Sequence, residues 1–445
     1  MDLKDCLKKM EAAGRLRHVR TEVDAVHELS GVCARLDGGP ALVFDKVRGY
    51  DYPVTTGMWW NRENVSAIFD TPVDKLSALF AKAVSSLREN PVPPVTVENA
   101  PAQAVFMDEP DLSRIPVPTH ALLDGGPYFS NCVIIAKDPD TGVRNTSVHR
   151  LMVTGKNRMG ILMDMGRHLR DYYERAEARG EALEITINNG AHPAYFVAAT
   201  TPSSAAPIDV DELAVASYLL GEPARLCKSR TVGVEGIADA QMIIEAEILP
   251  HVREPEGPFG EVSGYYASRA DRWVVNVKAI SLAKDPIISM LHPGREVLNG
   301  QGLGIEANLM QSIGRQVKGL KNVFMTHGGN HYHMVLQMDP PNNGMAKNAI
   351  MAAFAAFSDL QMVTVVNSDV DIYNPADVEF AMATRMDPVT DIVIIPGAFG
   401  HELNPVVKGN VGAKVGFDCT CPVPRSSEYT RLSFKNVDIG KYEIS

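Results

Sequence analysis

Apolar residues recur at helical spacing in two segments near the start of the chain. The first, residues 3–13, follows Asp2, which can cap a helix, and precedes Gly14, which can end one. The second, residues 73–89, is strongly amphipathic and is followed by prolines at 91, 93 and 94. The pattern therefore predicts a small α+β first domain, followed by a linker over residues 90–118 that is rich in proline and acidic residues.

From residue 131 the apolar residues fall into short runs that are typical of β-strands. The predicted strands cover residues 132–137, 147–153, 158–163, 183–187, 195–199, 242–248 and 273–282. Helices are predicted at residues 168–178 and 211–220. Many short strands at close spacing favour a barrel-like or sandwich-like middle domain over a parallel sheet.

The last third of the chain alternates strand-like and helix-like segments. Strands are predicted at residues 323–326, 333–338, 362–366 and 391–396, and helices at residues 346–357 and 375–386. This order predicts a sheet covered by helices. The predicted fold is thus mixed α+β in three domains, over residues 1–115, 116–315 and 316–445.

Composition narrows the class of protein. The 445 residues are 45% hydrophobic and 22% charged, with a net charge of −11, so neither nucleic acid nor an anionic membrane is an expected partner. The amino terminus lacks the apolar core of a signal peptide, and no apolar run is long enough to span a bilayer, so a cytoplasmic location is expected. Six dispersed cysteines suggest neither a disulfide framework nor a zinc site.

The segment Glu-Gly-Pro-Phe-Gly-Glu, residues 256–261, is the first candidate for chemistry. Glu256 and Glu261 are five residues apart, a step that matches neither one face of a helix nor one face of a strand. Two glycines and a proline can form a rigid loop that aims both carboxylates at one point. Such a pair can keep one carboxyl protonated while an arginine keeps the other ionised. The alternative is a surface turn with two solvated glutamates.

Three further polar features have ordinary structural explanations when each is taken alone. Asn145 to Arg150, the segment Asn-Thr-Ser-Val-His-Arg, could be the polar edge of a strand. His168 and Glu212 fall at the starts of predicted helices, where such side chains often cap or compensate the helix dipole. Lys414 lies on a predicted glycine-bearing turn and could simply be solvated.

Taken together, these segments resemble the UbiD family of reversible decarboxylases, which act on aromatic and unsaturated acids with prenylated FMN. The resemblance rests on residues 256–261 with the following Gly-Tyr-Tyr, on residues 145–150, on the spacing to His168 and Glu212, and on Lys414 with the Asp-Cys-x-x-Pro that follows it. It implies a split β-barrel of the flavin-reductase type over residues 116–315. It also implies a third domain that closes over the active site and contributes to oligomerisation.

The resemblance also implies the residues that hold the cofactor. Asn145, His168 and Glu212 would bind Mn²⁺ or Mg²⁺, bridged to the flavin phosphate, and K⁺ would be a second ion. This ligand set suits a hard divalent cation. The remaining implied flavin contacts are Thr146, Ser147, Val148, His149, Arg150, Arg167 and Lys414. Arg167 departs from the family pattern, in which a glutamine can precede the metal histidine.

Catalytic roles follow from the same resemblance. Loss of CO₂ from an sp² carbon needs an electron sink, which no side chain supplies and the prenylated flavin would. Arg150 would pair with Glu256 and hold the substrate carboxylate. Glu261 would be the general acid that delivers a proton to the carbon that lost CO₂.

The substrate is predicted less directly. His292 and His327, with His331, His333 and His401, suggest a polar pocket and favour a hydroxylated or heteroaromatic acid. The expected partners are that acid, CO₂, a flavin prenyltransferase that supplies the cofactor, and at least one further copy of the chain. Alternatives are a subunit of a multi-subunit carboxylase, a decarboxylase of an α,β-unsaturated acid, and an FMN-dependent oxidoreductase. The last would need a nicotinamide site, and no Gly-x-Gly-x-x-Gly follows a strand.

Overall fold

The fold is described from a computed structural model, which covers residues 1–203 and 205–442. The helices are α1 Leu3–Ala12, α2 Glu28–Leu36, α3 Arg62–Phe69, α4 Leu76–Glu89, α5 His168–Ala178, α6 Pro193–Ala199, α7 Leu213–Leu220, α8 Arg295–Gln316, α9 Met345–Ala356 and α10 Pro375–Arg385. Single 3₁₀ turns lie at Val73–Lys75, Pro101–Gln103, Leu112–Arg114, His327–Gly329, Ser427–Tyr429 and Ile439–Lys441.

The strands form sheets in all three parts of the chain. They are β1 Leu16–Val19, β2 Ala41–Phe44, β3 Val54–Thr56, β4 Val95–Thr96, β5 Val105–Met107, β6 Tyr128–Phe129, β7 Cys132–Lys137, β8 Arg144–Val148, β9 Leu151–Gly155, β10 Arg158–Ile161, β11 Leu183–Asn189, β12 Arg225–Cys227, β13 Gly236–Ile237, β14 Met242–Glu256, β15 Phe259–Gly260, β16 Tyr266–Ala267, β17 Ala270–Leu282, β18 Ile288–Ser289, β19 Leu320–Met325, β20 His333–Met338, β21 Met362–Val366, β22 Ile392–Phe399 and β23 Val411–Cys419.

The first part packs α1 to α4 around a four-stranded sheet in the order β1-β2-β3-β18. Helix α1 begins where predicted, because Asp2 and Asp5 form a reciprocal capping box. Its residues Leu3, Leu7 and Met10 are buried, as their spacing predicts.

The middle part is built on a nine-stranded sheet, ordered β6-β9-β10-β17-β14-β11-β7-β8 with β5 attached to β17. Its strand pairs are antiparallel, which confirms the prediction against a parallel sheet. The long strands β14 and β17 pair along almost their whole length, and β14 ends at Glu256. The sheet therefore delivers one of the two candidate carboxylates directly from a strand end.

The last part is a five-stranded sheet in the order β19-β20-β21-β23-β22. Strands β20, β21 and β23 are parallel and the two edge pairs are antiparallel. Helices α8 and α9 pack against this sheet and form one apolar core with it. Helix α10 forms a second apolar core with the same sheet. The predicted mixed α/β class is confirmed.

The segment predicted as a linker contributes to the sheets instead. Strand β4 pairs with β12, and β5 pairs with β17. Proline and acidic residues indicated only that the segment is irregular, since a strand of two or three residues leaves little periodicity to detect. The three domain ranges given above stay a prediction, and the last three residues of the third range lie outside the described residues.

Three local predictions are wrong. Residues 195–199 form part of helix α6 and not a strand, because Pro193 stands at the first helical turn and the His192 side chain accepts from the Ala194 amide. Residues 147–153 are two strands, interrupted at His149 and Arg150. Lys414 lies inside strand β23 and not on a turn, because the glycines beside it are paired in the sheet.

Within the described residues, no helix combines the length and the apolar character needed to cross a bilayer. All six cysteines are unpaired and buried.

Candidate active site

A cavity of about 180 Å³ opens where the middle sheet meets the last third of the chain. Val148, His149, Arg150, Arg167 and Glu261, which the sequence singles out, all contribute to its lining. Further lining residues come from the segment before α8 and from the loops of the last sheet. The cavity thus collects side chains from distant parts of the sequence.

Arg150 is the centre of a hydrogen-bonded cluster in this cavity. Its Nε donates to Oε1 of Glu256 at 3.0 Å, and its Nη2 donates to Oε2 at 2.8 Å. Its Nη1 donates to Oε1 of Glu261. The two carboxylates of the 256–261 segment therefore do converge on one arginine, and the surface-turn alternative is wrong.

The Glu256 side chain lies in a tightly packed environment that includes a glycine. Glu256 is completely buried at the end of β14, and its side chain passes over Gly160 of β10. A Cβ at Gly160 would lie 3.1 Å from the Glu256 side chain, which leaves little room for a larger residue. Tyr128 completes the environment, because its hydroxyl donates to Oε1 of Glu256 at 2.9 Å.

Burial and charge act differently on the members of this cluster. Burial raises the pKa of the Glu261 carboxyl above its ordinary value, although the Arg150 charge acts against this. Burial opposes the charge of Arg150, but its hydrogen bonds to Glu256 and the charge of Glu261 leave its pKa above the ordinary value. Burial raises the pKa of Tyr128 as well, so its hydroxyl remains a donor. Glu261 is thus the carboxyl suited to holding a transferable proton.

Strand β8 and the residues after it carry polar atoms that lack partners. Within the described part of the chain, Asn145 Oδ1, Thr146 Oγ1, Ser147 Oγ and His149 Nε2 are buried without a hydrogen bond. His149 Nδ1 lies 2.9 Å from the Leu162 carbonyl oxygen, so Nδ1 carries the proton and Nε2 is left as an acceptor. Burial lowers the pKa of His149 to about 4. Buried polar groups are rarely left unpaired, so this row indicates a binding surface for a polar group.

The three candidate metal ligands lie together beside this row. Asn145 Nδ2 donates to Glu212 Oε1 at 2.8 Å, which leaves the amide oxygen of Asn145 free to coordinate. His168 Nδ1 is 3.6 Å from Glu212 Oε1. Burial raises the pKa of Glu212 above its ordinary value. A buried carboxyl, an amide oxygen and an imidazole fit a hard divalent cation.

The protein supplies only part of a metal coordination sphere here. Across the described ranges, no three His, Cys, Asp or Glu side chains come together in a way that could hold an ion. The set at Asn145 would therefore need oxygens from elsewhere, as a flavin phosphate or water would provide.

Lys414 does not reach the cavity. Its Nζ donates to the carbonyl oxygens of Ser358 and Leu360, at 2.6 and 2.5 Å, and lies 5.4 Å from the centre of the Phe354 ring. The residue between those two carbonyls, Asp359, is the one that lines the cavity. The structure thus places Lys414 behind the cavity wall.

The histidines divide into two groups. His331 and His401 line the cavity. The two candidate substrate residues His292 and His327 are not among the described residues that line it. The His292 amide donates to Glu296 Oε2 at 2.8 Å, and His327 Nε2 lies 2.8 Å from Asn299 Oδ1. His333 is hydrogen-bonded to two threonines within the last sheet. The structure supports a polar pocket, but with different histidines from the two first suggested.

Several residues of the site had no sequence signal. Tyr128 binds Glu256, whereas Tyr332 and Asp359 line the cavity. All three lie on loops or short strands outside the motifs. Only the fold brings them to the site, and none has a spacing that points to chemistry.

Comparison with known protein families gives matches along most of the chain. The matching family is UbiD, described as 3-octaprenyl-4-hydroxybenzoate carboxy-lyase. Its amino-terminal domain matches residues 7–83, its Rift-related domain matches residues 94–296, and its carboxy-terminal domain matches residues 300–419. A Rhodospirillum rubrum protein, uncharacterized and encoded in the cooM 5′ region, is 46% identical over 100% of this chain and 96% of its own. The anhydromevalonate phosphate decarboxylase of Methanothermobacter thermautotrophicus is 35% identical over 88% of this chain and 91% of its own.

Solved structures give the same result. The UbiD-class enzyme HmfF of Pelotomaculum thermopropionicum, in complex with FMN, is 39% identical, covers both chains fully and has a TM-score of 0.95. An evolved dimeric form of HmfF, in complex with prFMN, has a TM-score of 0.90 at 38% identity over 99% of this chain and 100% of its own. The 3,4-dihydroxybenzoic acid decarboxylase AroY of Klebsiella pneumoniae has a TM-score of 0.92 at 30% identity, over 99% of this chain and 98% of its own.

The matched domains run in the same order as the sheets described above, and they contain the Arg150, Glu256 and Glu261 cluster. The chain therefore belongs to the UbiD family and is an enzyme of the carboxy-lyase class.

Proposed function

We propose that this enzyme catalyses the reversible, non-oxidative decarboxylation of an aromatic or heteroaromatic acid, with prenylated FMN as its cofactor. The observation that carries the proposal is the cluster in the cavity, in which Arg150 joins Glu256 and Glu261. It combines a cation for a carboxylate with a carboxyl whose pKa is raised, which are the two groups that loss of CO₂ and reprotonation require.

The residues along β8 fit the cofactor. The unpartnered atoms of Asn145, Thr146, Ser147 and His149 would meet the flavin, and Asn145, His168 and Glu212 would hold Mn²⁺ or Mg²⁺ at its phosphate. When bound, prenylated FMN would supply the electron sink for the carbon that loses CO₂. The FMN and prFMN bound to HmfF support this assignment.

The protein side chains then have distinct roles. Arg150 Nη1 holds the substrate carboxylate, while Nε and Nη2 remain bound to Glu256. Tyr128 and Glu256 fix the orientation of Arg150 from behind. Glu261 delivers the proton to the substrate carbon after CO₂ has left, and it takes that proton back in the carboxylation direction.

The proposed substrate class is supported by relatives that are named as decarboxylases of ring acids. They include AroY and the gallate decarboxylase of Lactiplantibacillus plantarum, which is 29% identical over 95% of this chain. The second candidate is an unsaturated acid without an aromatic ring. It is favoured by the similarity to the anhydromevalonate phosphate decarboxylase, which is closer in sequence than either.

The test is proton exchange at the carbon that carried the carboxylate. The protein would be produced together with a flavin prenyltransferase, loaded with Mn²⁺ and K⁺, and mixed in D₂O with aromatic, heteroaromatic and unsaturated acids. NMR would report deuterium at the released position. We expect label in one class of product and none with Glu261→Gln.

The possible results separate the candidates. Label confined to a ring acid supports the first candidate, and label confined to an unsaturated acid supports the second. No label with any acid, although prenylated flavin is present in the protein, would contradict independent activity and favour a subunit of a larger carboxylase.

We also propose that the enzyme is at least a dimer. A dimeric form of HmfF supports this. Light scattering should give a mass of at least twice 48.4 kDa, and a mass of one chain at micromolar concentration would contradict it.

A further inference from the structure

One part of the cavity wall, distinct from the Arg150 cluster, is formed by loops of the last sheet. His331, Asp359 and His401 contribute to it, and no part of the proposed decarboxylation uses them. Two of these side chains, His331 and Asp359, carry observations that ordinary folding does not explain.

His331 has a backbone that side chains rarely adopt. Its φ is +75°, and that of the preceding Asn330 is +43°, so two successive residues with side chains occupy the left-handed region. Such backbone strain persists only where the surrounding structure enforces it, and it clusters at functional sites. The chain keeps this strain at a position where a histidine faces the cavity.

The imidazole of His331 has an unused nitrogen. Its ring packs edge-on against Phe357, with ring centres 6.0 Å apart, and its Nε2 is buried without a partner among the described residues. Burial lowers the pKa of His331 to about 4, although the charge of Asp359 acts against this. The ring is therefore neutral near pH 7 and offers a substrate one nitrogen for a hydrogen bond.

Asp359 is held in place from behind the wall. The buried ammonium of Lys414 binds both carbonyl oxygens that flank it, those of Ser358 and Leu360. These two bonds fix the backbone on both sides of Asp359, which itself lines the cavity. Its Oδ1 accepts from the Ser358 hydroxyl at 3.4 Å. The Lys414 ammonium thus holds the chain on both sides of Asp359, which limits the positions that Asp359 can take.

The charges around the cavity decide what this wall can accept. Arg150 and Arg167 contribute two positive charges, whereas Asp164, Glu261 and Asp359 contribute three carboxyl groups. The Arg150 charge is already shared between Glu256 and Glu261. A second carboxylate on the substrate that approached Asp359 would be repelled by its charge, whereas a hydroxyl or ring N–H could donate to it.

We propose that Asp359 and His331 form a specificity subsite that binds a hydrogen-bond donor on the substrate ring and rejects a second carboxylate, with Lys414 as its positioning residue. This inference rests on the proposed function for the location of the substrate. It narrows the substrate to a monocarboxylic ring acid that carries a hydroxyl or an N–H group.

Equilibrium binding tests the subsite apart from turnover. The protein loaded with FMN and Mn²⁺ would be titrated by calorimetry with benzoate, 3- and 4-hydroxybenzoate, isophthalate and terephthalate. We expect one of the hydroxybenzoates to bind about ten- to a hundredfold more tightly than benzoate, the range for a hydrogen bond to a charged group. We expect both dicarboxylates to bind more weakly than benzoate.

Substitutions at the subsite should reverse this order. Asp359→Asn should reduce the advantage of the hydroxybenzoate to about threefold or less and should improve dicarboxylate binding about tenfold. Lys414→Met should shift both preferences in the same direction by a smaller factor. Asp285→Asn, which removes the same charge from an exposed turn, should change neither preference.

The outcomes distinguish this proposal from the proposed function. Wild-type protein that binds benzoate and both hydroxybenzoates equally, or an Asp359→Asn variant that keeps the wild-type order while retaining its flavin and thermal stability, would overturn the subsite. That result would leave decarboxylation untouched. The opposite result is also informative. If the acids bind in the expected order of affinity but the protein loaded with prenylated FMN releases no CO₂, the subsite is supported and the proposed reaction is overturned.

Discussion

Arg150 binds Glu256 through two parallel hydrogen bonds, from Nε to Oε1 at 3.0 Å and from Nη2 to Oε2 at 2.8 Å. This two-point contact uses the side of the guanidinium that faces the protein interior, where Glu256 is fully buried. Only Nη1 and the outer face remain for other partners, and Glu261 takes Nη1. A substrate carboxylate that displaces Glu261 from this nitrogen would remove the charge contact that lowers the pKa of Glu261, and Glu261 would then hold its proton more firmly.

The first prediction concerns that proton. Glu261→Gln keeps the shape and a hydrogen-bond acceptor but cannot transfer a proton, so turnover should fall by about 10²- to 10⁴-fold, the usual contribution of a general acid. Flavin and Mn²⁺ contents should stay at wild-type levels, because the cofactor atoms of β8 are not altered. Deuterium exchange at the substrate carbon and metal analysis measure the two quantities.

Glu254→Gln is the matched control for this prediction. Glu254 lies two residues before Glu256 on the same strand but pairs with Arg158 at the surface. Its substitution should leave turnover within about twofold of wild type, as is usual for a surface position. If Glu261→Gln behaved in the same way as Glu254→Gln, Glu261 could not be the acid.

The second prediction concerns the metal. Glu212→Ala should lower Mn²⁺ affinity by at least about tenfold, because it removes the carboxylate to which the Asn145 side chain is bound, beside the free amide oxygen of Asn145. Electron paramagnetic resonance of Mn²⁺ titrated into FMN-loaded protein would measure this. Glu22→Ala, which removes an exposed carboxylate paired with Arg48 in the first part of the chain, should leave the affinity unchanged. Equal Mn²⁺ affinity in both variants would disprove the assignment.

Short motifs made much of this site predictable. Residues 145–150 and 256–261 each bring several polar groups together within one turn or strand, so local sequence carries the signal. Where chemistry depends on contacts between distant segments, the signal is lost. Asp359 and Tyr332 show this, because they reach the cavity only through the packing of the last sheet against the middle one.

Helix α8 shows a similar limit for the fold. No element is predicted at residues 295–316, because Gly300, Gly302 and Gly304 interrupt any helical pattern. The structure explains one of these glycines, since a Cβ at Gly300 would lie 2.8 Å from the Phe196 ring. Close packing between α8 and α6 outweighs the low helix propensity of glycine, and such packing cannot be deduced from the local sequence.

The third prediction concerns how the last third of the chain reaches Glu261. The Ser263 side chain, two residues beyond Glu261, acts to lower the pKa of Tyr332, which burial raises to about 12, and both Tyr332 and Glu261 line the cavity. Tyr332→Phe should lower kcat about two- to tenfold, the value of one polar contact, with a smaller change in KM. Ser263→Ala should cause the same loss, and the double variant should lose no more than either single variant.

A merely structural role for Tyr332 would give a different pattern. The two substitutions would then add, and thermal stability would fall together with activity. Tyr373→Phe is a suitable control, because its hydroxyl binds Asn322 at the surface of the same third. Independent, additive effects of Tyr332→Phe and Ser263→Ala on kcat would contradict the coupling.

The last prediction concerns Glu296, a buried carboxyl at the start of α8. It accepts hydrogen bonds from the Thr56 hydroxyl and the Gly57 amide of the first sheet, and from the His292 amide. Burial raises its pKa from 4.5 to about 7 despite these donors. The folded protein therefore holds this proton more tightly than the unfolded chain, which contributes stability below about pH 4.5 that is lost as the pH rises through about 7.

Glu296→Gln removes this titration and should be observable as a pH-dependent difference in melting temperature. The variant should be less stable than wild type at pH 5, because an amide cannot accept all the donors that Glu296 satisfies. The gap should narrow towards pH 8, where the wild-type carboxyl has become charged and has lost up to about 3 kcal/mol of its contribution. Thermal unfolding at pH 5, 6, 7 and 8 measures the gap, with Glu109→Gln at an exposed turn as the control. A constant gap between pH 5 and 8 would show that Glu296 does not titrate in this range, and its hydrogen-bond donors would then have to keep it ionised throughout.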